Sequence, residues 1–143
     1  MEKNKKKSQY EEEANVAAGW WRDNMGPQAK QDNGVAMHSI MMSMLSGRMK
    51  IDEKQKEAFF NALKKVIIET LEDRGRMSLH VDYDPDYILS QAARESGVQP
   101  MMGLFPCKTS MWIEEGLVSV SCGYGADSKE IYNAKDESQP GNN

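Results

Sequence analysis

The sequence predicts an α+β domain: N-terminal helices, one long central helix packed on a small antiparallel sheet, and a C-terminal hairpin within that sheet. Three patterns carry this expectation. Phe59, Phe60, Leu63, Val66, Ile67 and Leu71 repeat at three and four behind Asp52 and Gln55, a capping-box pair, and Gly75 closes the run. Leu79, Val81 and Tyr83 alternate with Ser78, His80 and Asp82, as in a strand with one buried face. Two further alternating runs flank Glu115 and Gly116, and a two-residue turn there places Glu114 opposite Leu117. One face of that hairpin then collects Thr109, Met111, Ile113, Val118, Val120 and Cys122; the other holds Ser110, Trp112, Glu114, Leu117, Ser119 and Ser121. A one-residue slip would scramble the two sets, so the pattern supports its own register.

The remaining elements follow in chain order. Tyr10, Ala14, Ala17 and Trp21 recur at helical spacing, with Glu11, Glu12 and Glu13 in the first turn, where the helix dipole favours negative charge; Gly26 and Pro27 are expected to stop this helix. A polar loop leads to a second apolar stripe, Ile40, Met41, Met44 and Leu45, closed near Gly47. In the stretch from Asp84 to Gly97, the residue before Pro85 is pushed out of helical space and proline suits the first helical position. Asp84 is therefore expected as N-cap, with Asp86 in the first turn and Ile88, Leu89, Ala92 and Ala93 facing inward. Asp127, with Glu130 three residues on, predicts a short helical turn to Tyr132.

A chain of 143 residues fits one domain able to bury a real core, here expected over residues 10–132 between a disordered basic tail (1–9) and a disordered polar tail (133–143). No stretch approaches the length of a membrane span and no apolar segment follows the lysine-rich start, so a cytoplasmic protein is expected. Residues 10–132 hold 13 Lys and Arg against 19 Asp and Glu, with no basic stripe, which argues against direct nucleic-acid binding. Cys107 and Cys122 are too few for a disulfide scaffold and lack zinc spacing; they read as small buried thiols, since nothing places His38 or His80 beside them as a base. The clustered methionines read as core.

The densest group of reactive side chains is Asp82, Asp84 and Asp86. A calcium loop counted from Asp82 would want glycine and glutamate where Tyr87 and Ala93 stand, so no metal and no cofactor is expected there. His80 and Asp82 share the polar strand face, and with Ser110, Trp112, Ser119 and Ser121 they form the candidate partner-binding surface, a tryptophan among small polar groups. Two arrangements are open: the first helix lays Trp20 and Trp21 over Trp112, or the face remains bare as an interface. Gly123 and Gly125, between strand and predicted turn, read as a tight turn; as a phosphate loop the segment lacks a third glycine and the lysine–hydroxyl pair.

The set WW at 20–21, DNG at 32–34, LHVDYDPD at 79–86, FPCKTSMW at 105–112 and CGYGAD at 122–127 resembles a group of small uncharacterised proteins of phages and mobile elements of gut bacteria. That resemblance implies a setting in which inhibitors of host defence are common, and no activity or catalytic residue. The expected function is a non-catalytic binding or inhibitor protein that occupies a bacterial host protein, such as a defence nuclease, in the manner of an anti-CRISPR protein. Its acidic body would speed capture of a basic partner. The alternative is a small nucleotide- or ligand-binding protein or hydrolase using His80, Asp82 and the Gly123–Gly125 loop.

Overall fold

The computed structural model describes residues 8–26, 51–82, 84–100, 103–106, 108–123 and 125–135. The helix expected around Ile40 to Leu45, together with His38, Tyr83, Cys107 and most of both tails, lies outside the described residues. Among the described residues, three helices and four strands follow in order: α1 (Glu11–Asp23), α2 (Glu53–Arg74), β1 (Arg76–Val81), α3 (Tyr87–Glu95), β2 (Thr109–Glu114), β3 (Leu117–Cys122) and β4 (Lys129–Asn133). The strands form one antiparallel sheet in the order β1-β2-β3-β4. This is the α+β architecture that the periodicities predict, with the long α2 against the sheet.

Local chemistry explains most boundaries. Asp52 accepts from the Gln55 N–H at 2.8 Å while the Gln55 side chain accepts from the Asp52 N–H at 3.1 Å, so the capping box at α2 is complete. Gly75 closes α2 in the left-handed region, donating to Leu71 O at 2.7 Å. The β2–β3 register is the one expected, Thr109 opposite Cys122 through Glu114 opposite Leu117. Gly116 has φ 81°, a conformation that a two-residue hairpin turn requires and that L side chains resist.

Three expectations need correction. Helix α1 ends at Asp23, ahead of Gly26, because the Asn24 side chain donates to Trp20 O at 2.8 Å and ends the helix there. The N-cap of α3 is Asp86, two residues after Asp84. Its Oδ1 accepts from the Leu89 N–H at 3.0 Å and its Oδ2 from the His80 N–H at 2.8 Å. One carboxylate thus caps a helix and satisfies the outer edge of β1, whereas Pro85 bridges back to Val81. Residues 129–133 form a strand where a helical turn was expected. The Asp127–Glu130 signal is local, but β3 has edge groups to satisfy, and the β-forming Ile131 and Tyr132 suit a strand. A bulge between Val118 and Ser119 takes up the mismatch.

The core lies between helices and sheet. From α2 it receives Phe59, Leu63, Ile67 and Leu71; from the sheet Leu79, Val81, Met111, Ile113, Val118 and Val120, all buried. Helix α1 adds Ala14, Ala17, Ala18 and Trp21 on the same side of the sheet, and α3 packs Leu89, Ala92 and Ala93 beside α2. Trp21 sits at the centre, edge-on to Phe105 at 5.2 Å, while its indole N–H donates to Met111 Sδ at 3.2 Å. Phe59 meets the same Phe105 ring at 5.5 Å. The Lys64–Glu11 pair at 2.6 Å joins α2 to α1 at the rim.

One buried group has no counterpart among the expectations. Glu13, assigned only to the helix dipole, turns inward and its Oε2 accepts the Gly116 N–H at 2.6 Å, tying α1 to the hairpin turn. Its Oε1 is buried with no hydrogen-bond partner among the described residues. Nearby, the Tyr132 phenol is pushed above its ordinary value, first by desolvation and then by the Glu13 and Glu12 carboxylates. Replacing the central anchor by Trp21→Ala should lower the unfolding free energy by about 3–5 kcal/mol in a denaturant titration. A loss below about 1 kcal/mol would show that α1 is not fixed to the sheet.

Candidate functional site

The polar side of the sheet is built by the same alternation that fills the core. Antiparallel register aligns its outward side chains in three rows: Arg76, Glu114 and Leu117; Ser78, Trp112 and Ser119; His80, Ser110 and Ser121. Five of the six residues read from the sequence as partner-binding, His80, Ser110, Trp112, Ser119 and Ser121, therefore occupy two adjacent rows. Asp82 lies just past the end of β1.

Trp20 and Trp21 do not lie over Trp112. Trp21 is sunk on the opposite side of the sheet against Met111, with Trp20 edge-on to it at 5.0 Å. Among the described residues the polar face carries no helix, and Trp112 remains 43% exposed. Besides Trp112, Tyr87 is the only large hydrophobic side chain exposed among the described residues, and it stands at the start of α3.

Among the described residues, two shallow depressions of about 420 Å³ each border the candidate residues on this face. The first surrounds Trp112 with Arg76, Ser78, Glu114, Leu117 and Ser119. The second is lined by His80, Asp82, Lys108, Ser110, Ser121 and the glycines 123 and 125. Residues that the alternative reading grouped from sequence alone, His80, Asp82 and the glycine turn, thus border one hollow, joined by Lys108, which sequence reasoning missed. Its only sequence signal was a lysine just ahead of the β2 run.

Contacts within the second hollow limit its chemistry. The His80 ring is bracketed by hydroxyls, Nδ1 to Ser110 Oγ and Nε2 to Ser78 Oγ, each 3.0 Å, and stands edge-on to Trp112 at 6.4 Å. A serine beside a histidine is the pairing of a nucleophile and base. The orienting position on the other ring nitrogen, however, is held by a second hydroxyl in place of a carboxylate. Asp82 is turned to the Lys108 ammonium at 2.7 Å. Among the described residues no three of His, Cys, Asp and Glu gather as a metal cluster.

Lys108 is the only non-glycine residue with positive φ among the described residues, at 59°. That conformation costs a side-chain-bearing residue about 1–2 kcal/mol. The Lys108 carbonyl accepts from the Gly123 N–H at 2.9 Å, which holds the two ends of the hairpin together. Cys122, expected among the buried thiols, is exposed there, because the apolar face runs out at the end of β3; Thr109 Oγ1 lies 3.5 Å from its sulfur.

No family model matches the chain, and no curated protein matches it. Among solved structures, the BTG/Tob domain of C. elegans FOG-3 is similar in fold, with a TM-score of 0.59 at 13% identity over 85% of this chain and 89% of that one. At that identity the likeness is one of fold alone. No helix among the described residues is long and apolar enough to cross a membrane.

If Lys108 is strained as its backbone indicates, Lys108→Gly should raise the unfolding free energy by about 0.5–1 kcal/mol, and Lys108→Val should lower it, in paired chemical denaturations. Equal stability of the two variants would remove the strain.

Proposed function

We propose that this chain is a non-catalytic binding protein of phage or mobile-element origin. In this reading it occupies a protein of the bacterial cytoplasm, such as a defence nuclease or other defence component, through the outer face of its sheet. The observation that carries the reading is Trp112: a large ring, 43% exposed, centred in a row of small hydroxyls with Arg76, Glu114 and Leu117 beside it. Burying such a ring in a partner removes much apolar surface at little conformational cost, because strand neighbours already fix its backbone, and serines on either side leave room for a close approach. The acidic balance of residues 10–132 supports a basic partner, whose capture would weaken as salt screens the attraction.

A hydrolase is less well supported, since His80 has hydroxyls on both nitrogens and Asp82 is engaged by Lys108. Immobilised protein with Trp112→Ala should retain the bacterial partner at least tenfold less well than the unaltered chain, with Tyr87→Ala unchanged as the control. Equal retention by the Trp112 variant would exclude this face as the docking surface.

A further inference from the structure

We propose that two copies of this chain pair face to face through the outer side of the sheet, as a weak twofold dimer that covers Trp112, whichever other protein that face captures. Three pairs of outward residues stand opposite one another across β1 and β2: Arg76 and Glu114, Ser78 and Trp112, His80 and Ser110. Each pair joins unlike members: a cation with an anion, a small side chain with the largest one, a ring with a hydroxyl. A twofold axis running along the strands, between β1 and β2, exchanges the two members of every pair. Arg76 then meets the partner subunit's Glu114, Ser78 meets the partner subunit's Trp112, and His80 meets the partner subunit's Ser110.

Charge complementarity is what selects a second copy as the occupant. Arg76 and Glu114 are both exposed, and although they face each other across the strands, neither forms an ion pair among the described residues. A second copy supplies both counter-ions at once, at the spacing that the strands already set. Shape agrees with charge. The hollow beside Trp112 is walled by Arg76, Ser78, Glu114 and Ser119, so an indole coming from the other copy enters over a serine. The His80 ring keeps its bonds to Ser78 and Ser110, because the contact asks it only to pack.

The size of the face limits the strength of the pairing. Four strands about 4.8 Å apart and about 20 Å long present about 400 Å², so two copies cover about 800 Å² in all, less than permanent dimers bury. Each chain also carries a net charge of −4, which opposes approach until salt screens it. The dimer is therefore concentration-dependent, and Trp112 is free in dilute protein.

Sedimentation equilibrium of the full chain, at about 0.15 M salt and up to about 1 mM protein, tests this. The average mass should rise with concentration toward that of two chains. Arg76→Glu and Glu114→Arg should each weaken association about tenfold or more, because like charges then meet at both contacts. Mixed in equal amounts, the same two variants should associate again: the mixed pair restores opposite charge at both contacts while leaving like charges opposed within each chain. Arg76→Glu mixed with Glu95→Arg, an exposed site on α3, controls for unspecific attraction and should remain monomeric. A mass that stays at one chain throughout, single variants that pair like the unaltered chain, or a mixture that associates no better than its control would overturn the dimer. Association of the mixture that survives Trp112→Ser in both chains would overturn this face as the contact. The readout uses this chain alone, so it stands apart from the capture experiment with Trp112→Ala.

Discussion

The seating of Trp21 against Met111 decides most of what this protein presents to solvent. A four-stranded sheet has two faces, and helices could cover either. The α1 helix carries a single large anchor flanked by alanines, and that anchor finds its apolar surroundings, Phe105 and the Met111 sulfur, only on the side where Leu79, Ile113 and Val118 also point. With α2 on the same side, both helices are committed to one face. The other face is then left with the side chains that alternation assigned to it.

In the two adjacent rows that hold Trp112 and His80 the other four side chains are serines, which makes these two conspicuous. Trp112 gains contact area from its neighbours' lack of bulk, and His80 is held in place by the serines on either side. At the end of the sheet, Lys108 takes a left-handed backbone conformation and its ammonium pairs with Asp82. Asp86 contributes from below: by closing the His80 N–H it fixes the strand edge next to the hollow and starts α3 away from it. The polar face is thus a rigid platform with an aromatic half and a charged half.

Strict periodicities were readable from the residues alone. Period two placed the hairpin register and separated the core set from the set containing His80, Ser110, Trp112, Ser119 and Ser121; period three-and-four with a complete capping box placed α2. What could not be read was decided by contacts between distant segments. Residues 129–133 became a strand because β3 needed an edge partner, which the local Asp127–Glu130 pattern does not encode. Asp86 displaced Asp84 as N-cap because a strand six residues earlier in the chain needed an acceptor. Glu13 was buried by the hairpin turn that reached it, and Cys122 was exposed because the sheet ended. Which face α1 would cover stayed undecided for the same reason: Trp21 suits either side until Phe105 and Met111 are known to share one.

Hydrogen exchange of the indole N–H groups, followed by NMR, tests this one-sided arrangement most directly. The Trp21 indole should be protected to the level of global unfolding, since it is buried and bonded to Met111, and the Trp112 indole should exchange at close to the rate of an exposed ring. Protection of the Trp112 indole to the same degree as that of Trp21 would contradict a bare outer face.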